Sequence, residues 1–427
     1  MAIFDPIAIR TAASNDPAFR QSLRFLTGNV RYKIGDDSFL LVVRDGELID
    51  FSQDDGSATA DVTISGPQEG WEQLLIPDIT PPGCQSPLYN DGRSLVQYEG
   101  DTVHGVGPFA RTINEMHRIM RELVAGKAID SVLPEVDREF DSAVGRYIYL
   151  RLDGIQYRIY YEESGEGDIP LILQHTAGAD SRQMRHILED PDFRRHFRII
   201  AYDVPFHGRS LPPTSVRWWE ERFMLTKSML TQLIFGLCDK LALDRPVFMG
   251  SAMGGMLALD IAHDHPGKFR AVIGLNAGPP MIFPPEVSEK METFSHPRLS
   301  NHWPVAMMTA NMAGTSPGIY RRELGFVYSQ VAPGVAMGAL NYYMNDHTLT
   351  PEQAGTIDTT KTAVYLFTGM DDSMGGEAYG TGLIAAAMPG APFKMLQRLG
   401  HFGPAENPEA FKEDIWPTFE EIIRNAQ

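Results

Sequence analysis

The sequence predicts a mostly parallel α/β sheet with helices on both faces, preceded by a smaller α+β unit. Three observations carry this expectation. From residue 169 onward, apolar runs of five or six residues alternate with helical patterns, as strands buried on both faces require. Residues 1–135 instead carry short alternating runs divided by Arg44-Asp45-Gly46 and Asp54-Asp55-Gly56, which are turn signals. Between about 279 and 358 the alternation stops in a block rich in proline and methionine, which reads as a cap inserted between two strands.

The totals narrow the partners. A chain of 427 residues with 43% hydrophobic content supports more than one core. A formal charge of -18 argues against nucleic acid or an anionic membrane, both of which need basic patches. A neutral or apolar small molecule is the expected partner, and a homo-oligomer is left open. Cys84 and Cys238 are too isolated for a disulfide framework or a metal site. The first residues lack a basic start followed by an apolar core, and no run of eighteen apolar residues occurs. A soluble cytoplasmic protein without metal or cofactor is expected.

Taken in order, strands are expected at 30–33, 39–43, 48–51 and 60–65. Val106, Phe109, Ile113, Met116, Met120 and Leu123 then recur at steps of three and four, the stripe of a half-buried helix. Through Phe39-Leu-Leu-Val-Val-Arg-Asp-Gly46 and Ala60-Asp-Val-Thr-Ile-Ser65 the first unit resembles, at a generic level, the sterol-carrier type of lipid-binding domain. The alternative is a scaffold that lengthens the second unit's pocket or makes a dimer contact. A loop around Pro81-Pro82-Gly83 is expected to reach outward.

The second unit is expected over 136–427. It opens with a hairpin, 147–152 and 155–161, around Asp153-Gly154. Strands follow at 169–174, 197–202, 247–249, 271–275, 362–368 and 393–397, with helices at 183–188, 218–241, 253–265, 378–387 and 408–424. The cap block contributes Met281, Met291, Met307, Met308, Met312, Met337 and Met344, residues that suit either a bulky apolar ligand or the cap's own core.

Chemistry concentrates at the ends of the strands, where parallel sheets bind ligands. Pro246-Val-Phe-Met-Gly-Ser-Ala-Met-Gly-Gly255 has the glycine spacing of a strained strand-to-helix turn that exposes a nucleophile. Gly250 and Gly254 are in place, but the residue between them is Ala252, which cannot attack. Ser251, one place early, points to a different side of such a turn. Later come Gly369-Met-Asp-Asp372 and Gly400-His-Phe-Gly-Pro-Ala-Glu-Asn-Pro408.

With His175-Thr-Ala-Gly178 and Asp203-Val-Pro-Phe-His-Gly-Arg-Ser210, these segments stand in the order found in capped α/β hydrolases, and residues 145–427 resemble that family. The family contains esterases, lactonases, carbon-carbon bond hydrolases, epoxide hydrolases and dehalogenases. Thr176 and Phe206 stand where its segments have glycine, and Pro404 lies one place late. The resemblance implies an α/β-hydrolase fold, a nucleophile position at Ala252, His401 as general base and Asp372 as its orienting acid, with Asp371 the neighbouring alternative. It implies an oxyanion site from the backbone of Met253 with Thr176 or Ala177, and a substrate lined by His175, His207, Met281 and Phe402. His263 and His265 end a helix, where cations favour the dipole, and Trp218 and Trp219 read as helix anchors.

The expected reaction is hydrolysis of a hydrophobic ester or lactone, with this chain an inactive form carrying alanine for serine. Alternatives are carbon-carbon bond hydrolysis of a diketone or ring-cleavage product, a non-catalytic ligand-binding protein on a hydrolase scaffold, and a cofactor-free oxygenase using the His-Asp pair.

Overall fold

A computed structural model describes residues 4–76, 86–88, 94–129, 132–281, 291–299, 302–372 and 380–426. The Pro81-Pro82-Gly83 loop and Cys84 lie outside these residues. The chain forms two units, Met1–Leu133 with His296–Ser329, and Pro134–Ser295 with Gln330–Gln427. None of the described helices is long and apolar enough to cross a membrane.

The first unit is built on strands β1 (Gly28–Ile34), β2 (Asp37–Arg44), β3 (Glu47–Gln53), β4 (Val62–Gly66) and β5 (Gln97–Glu99) in the order β3-β2-β1-β4-β5. β1 and β4 run parallel; the other neighbours are antiparallel. The expected helix is Gly107–Ala125, which buries Phe109, Ile113, Met116 and Met120 and stops at Gly126 with φ 66°. Two helices before the sheet, Pro6–Asn15 and Pro17–Leu23, were not expected. Each follows an aspartate whose side chain accepts from the first-turn N–H groups, Asp5 from Ile7 and Ala8 and Asp16 from Phe19, with proline at the first helical position.

The block expected as one cap over 279–358 is divided. Residues 296–329 fold with the first unit, where helix Trp303–Thr309 packs on Gly107–Ala125 and helix Gly318–Tyr328 packs on Trp303–Thr309. Trp303 meets Tyr98 edge-on at 6.1 Å, and Arg322 pairs with Glu115 at 3.1 Å. Met307, Met308 and Met312 therefore belong to this unit, whereas Met281 and Met344 pack against the core of the second.

The second unit is an α/β-hydrolase fold. Its strands are β6 (Val144–Leu152), β7 (Ile155–Ser164), β8 (Ile169–Gln174), β9 (Phe197–Tyr202), β10 (Val247–Ser251), β11 (Ala271–Leu275), β12 (Ala363–Gly369) and β13 (Phe393–Leu396). They lie in the order β13-β12-β11-β10-β8-β9-β7-β6, antiparallel only where β7 meets β6 and β9. Every residue of β10 and β11 is buried, because the helix Lys227–Leu241 and its neighbours cover one face and Pro408–Ala426 with its neighbours the other. The helix expected at 218–241 begins only at Lys227, since the Thr226 side chain accepts from Met229 N–H and caps it there. Trp218 and Trp219 lie in an isolated turn before it and are 43% and 64% exposed, so they do not anchor a helix.

Candidate active site

The crossing of β10 into helix Met253–Asp264 places Ala252 at φ 51° and ψ -104°, a conformation that costs an alanine on the order of 1–3 kcal/mol. Close packing enforces it. A Cβ at Gly250 would lie 2.3 Å from the backbone carbon of Gly254, and one at Gly254 3.1 Å from Gln174 Cβ. Ala252 N–H donates to Leu275 O at 2.8 Å, locking the turn to the end of β11.

The next residue, Asn276, joins two further loops. It has φ 51°. Its side-chain amide donates to His401 O at 2.7 Å, its Oδ1 accepts from Gly369 N–H at 3.1 Å, and its own N–H donates to Phe367 O at 2.7 Å. The loops carrying Asp372 and His401 are thus tied to one side chain, and the turn at Ala252 is held by the backbone of the preceding residue, Leu275. Nothing in the residue pattern had singled Asn276 out; an asparagine directly after a buried strand, able to adopt a left-handed conformation, was the available signal.

Of the two adjacent aspartates, Asp372 reaches the histidine, with Oδ2 3.0 Å from His401 Nδ1. Asp371 is only half-buried, and its N–H donates to Leu399 O. Both members of the pair are buried, Asp372 at 1% exposure and His401 at 8%. Burial by itself would disfavour the imidazolium. The Asp372 carboxylate overcomes this by charge and hydrogen bond, and with a smaller contribution from Glu406 it holds the His401 pKa above the usual histidine value. Glu406 is fully buried and accepts from Gly400 N–H, bracing the residue before the histidine. His401 Nε2 has no hydrogen-bond partner among the described residues, nor has the buried Ser251 Oγ. Ser251 is therefore not paired with a base, as an activated nucleophile must be.

The remaining expected site residues divide. Met253 opens its helix, where the first N–H groups have no intrahelical acceptor. Thr176 N–H, expected as an oxyanion donor, is instead given to Gln183 Oε1 at 2.9 Å, because the turn at Ser181–Met184 brings that amide back over the loop. His175 and His207, expected against substrate, are buried with both ring nitrogens held by backbone. His175 faces Thr176 O at 2.8 Å and Val204 N–H at 3.1 Å; His207 faces Pro205 O at 2.9 Å and Gly178 N–H at 3.2 Å. These imidazoles, 5.3 Å apart, brace the 175–178 loop and offer a ligand no ring nitrogen. Burial, with the neighbouring His175, pushes His207 down to about 3. Phe402 is fully buried, its ring edge-on to His401 at 5.1 Å. Met281, partly buried, packs on the core cluster containing Ala252, Met253 and Met256.

Comparison with known proteins agrees with the fold of the second unit. The model of the alpha/beta hydrolase fold matches residues 169–302. A 2-hydroxy-6-oxononadienedioate/2-hydroxy-6-oxononatrienedioate hydrolase of Burkholderia vietnamiensis is 28% identical over 149 residues, 34% of this chain and 49% of that protein. One of the same name from Paraburkholderia phymatum is 22% identical over 286 residues, 64% of this chain and 94% of that protein. The chain thus spans about half of the first relative and nearly all of the second. Among solved structures, a Thermogutta terrifontis esterase has a TM-score of 0.55 at 18% identity, covering 65% of this chain and 99% of that one. The enol-lactonase of Burkholderia xenovorans LB400 has a TM-score of 0.53 at 21% identity, covering 64% and 100%. At these identities the structures establish the fold alone.

Proposed function

From the premise that Pro134–Ser295 and Gln330–Gln427 carry an α/β-hydrolase fold, we propose that this is a serine-triad hydrolase of hydrophobic esters or lactones with alanine in the nucleophile's place. The observation that carries the proposal is the buried His401–Asp372 pair, whose loops are joined by Asn276, the residue after Leu275, whose carbonyl holds the strained turn at Ala252. A side chain with no function at that position gives the turn no reason to be strained. A hydroxyl there does.

With serine at the turn, the hydroxyl oxygen attacks the substrate carbonyl while its proton passes to His401 Nε2. Asp372 holds the ring by Nδ1 and stabilises the imidazolium. Met253 N–H and a second donor in the 175–178 loop hold the oxyanion, each such donor being worth about 2.7–4 kcal/mol. Of the two residues expected there, Thr176 and Ala177, Thr176 already gives its N–H to Gln183. His401 then returns the proton to the leaving oxygen, and water repeats the sequence on the acyl group. Without the hydroxyl, turnover falls by about a million-fold while binding remains.

The apolar surroundings support the substrate class: Met253, Met256, Met281, Met344 and the stacked Phe206 and Phe223 belong to or pack on the cluster around Ala252. The names of the two relatives favour a second reading, carbon-carbon bond hydrolysis of an oxo-dienedioate, in which His401 also moves the proton. Introducing A252S and assaying aryl esters, lactones and 2-hydroxy-6-oxononadienedioate side by side separates the two. Exclusive cleavage of the dienedioate replaces the first reading, and inactivity of the folded variant on all three removes both.

A further inference from the structure

The first unit contains a cavity of about 530 Å³ between helix Gly107–Ala125 and helices Trp303–Thr309 and Gly318–Tyr328. That volume lies within the range of small-molecule sites, about 300–1,000 Å³. Among the described residues, five arginines line it, Arg111, Arg118, Arg121, Arg321 and Arg322, with one carboxylate, Glu115. Glu115 is already engaged: it pairs with Arg118 at 2.8 Å and with Arg322 at 3.1 Å. Arg118 also holds Asp16 and Glu122, at 2.7 and 2.8 Å.

Arg121 differs from these. It is 4% exposed, and its Nη2 donates to Gly314 O at 2.9 Å, but its Nε is buried with no partner and no carboxylate lies on it among the described residues. A carbonyl oxygen takes a hydrogen bond without supplying a counter-charge. Arg321, which donates to Thr309 O at 2.5 Å and Ala313 O at 2.9 Å, is close enough that burial and its charge together lower Arg121 to about 10. The same field reaches His117, also on the cavity wall, which burial together with Arg121 and Arg321 pushes down to about 3. A buried guanidinium such as that of Arg121, with no carboxylate on it among the described residues and a second guanidinium beside it, is a costly arrangement for a fold to keep.

We propose that this cavity is a binding site for a small carboxylate with a compact apolar body. The carboxylate would lie on Arg121, whose planar fork suits it, and the body against Val305, Ala306, Ala310 and Phe326. The site lies wholly within Met1–Leu133 and His296–Ser329, so the inference stands whether or not the hydrolase reading does.

The test is calorimetric titration of the full chain with phenylacetate, with inorganic phosphate as an anion lacking the apolar body. The expected result is one phenylacetate per chain, bound at least tenfold more tightly than phosphate. Arg121→Met should weaken phenylacetate at least tenfold. Ala310→Leu, which fills the cavity and leaves the guanidinium in place, should do the same. His401→Ala should leave the affinity unchanged, separating this site from the oxyanion site of the other unit. The inference is overturned by no phenylacetate binding at 10 mM, by equal or tighter binding of phosphate, by binding that survives both Arg121→Met and Ala310→Leu, or by binding lost in His401→Ala.

Discussion

Asn276 donates to the carbonyl oxygen of His401 at 2.7 Å while accepting from Gly369 N–H, so one side chain sets the distance between the His401 loop and the Asp372 loop. Asn276→Gly keeps a residue tolerant of the positive φ and removes both bonds. In an A252S background this should lower kcat about 100-fold with little change in KM, the scale expected for displacing a reacting group by about an ångström. Steady-state kinetics with circular dichroism as a folding control checks it. An unchanged kcat would make Asn276 a purely structural link.

The raised pKa of His401 has two consequences of opposite sense. Only the neutral imidazole accepts a proton, so the activity of A252S should fall as pH drops through a value above the ordinary histidine value of about 6.5. Asp372→Asn should move that limb down and lower kcat by about ten-thousand-fold. In stability the sign reverses. The folded pKa lies above the unfolded one, so the stabilisation is complete below about pH 6.5 and is lost as pH rises through the folded value. Asp372→Asn should thus be more destabilising at about pH 5.5 than at about pH 9, as read by urea unfolding.

His207 acts in the other direction. Its folded pKa of about 3 lies below the unfolded value, so it contributes stability above about pH 6.5 that is lost as pH falls toward 3. His207→Gln should flatten the decline of Tm between about pH 6.5 and pH 4 and loosen the loop that Gly178 N–H ties to the ring. Thermal melts across that range decide it; a slope as steep as the parent's would assign the acid sensitivity elsewhere.

Gly250→Ala should destabilise by at least about 1–3 kcal/mol, because the new methyl carbon falls 2.3 Å from the Gly254 backbone, which cannot yield without unwinding the turn. Urea denaturation measures it. Full stability would mean that the turn has more room than its packing indicates.

Most of the second unit could be read from its sequence because strands buried on both faces are continuous apolar runs, and because the Asp153-Gly154 hairpin and the two glycines of the turn are chemically forced. Asp372 and His401 could be placed through the resemblance to capped α/β hydrolases; their positions at strand ends agree with it but could not have picked them out alone. What escaped were long-range choices. Whether residues 296–329 pack with one unit or the other depends on contacts such as Arg322 with Glu115, 207 positions apart. Gln183 taking Thr176 N–H, and backbone taking both nitrogens of His175 and of His207, are likewise decided by geometry that spacing does not encode. The helices at Pro6 and Pro17 are the opposite case: Asp5-Pro6 and Asp16-Pro17 are local N-terminal signals legible in the sequence itself.

The central claim is that Ala252 occupies a nucleophile's position, and labelling of A252S with an alkyl fluorophosphonate, followed by intact mass, tests it most directly. A nucleophile's position at Ala252 gives one phosphonyl group per chain on the introduced hydroxyl, no label on the parent chain, and loss of labelling when His401→Ala is added. A folded A252S that takes no label, or a parent chain that takes as much, would contradict it.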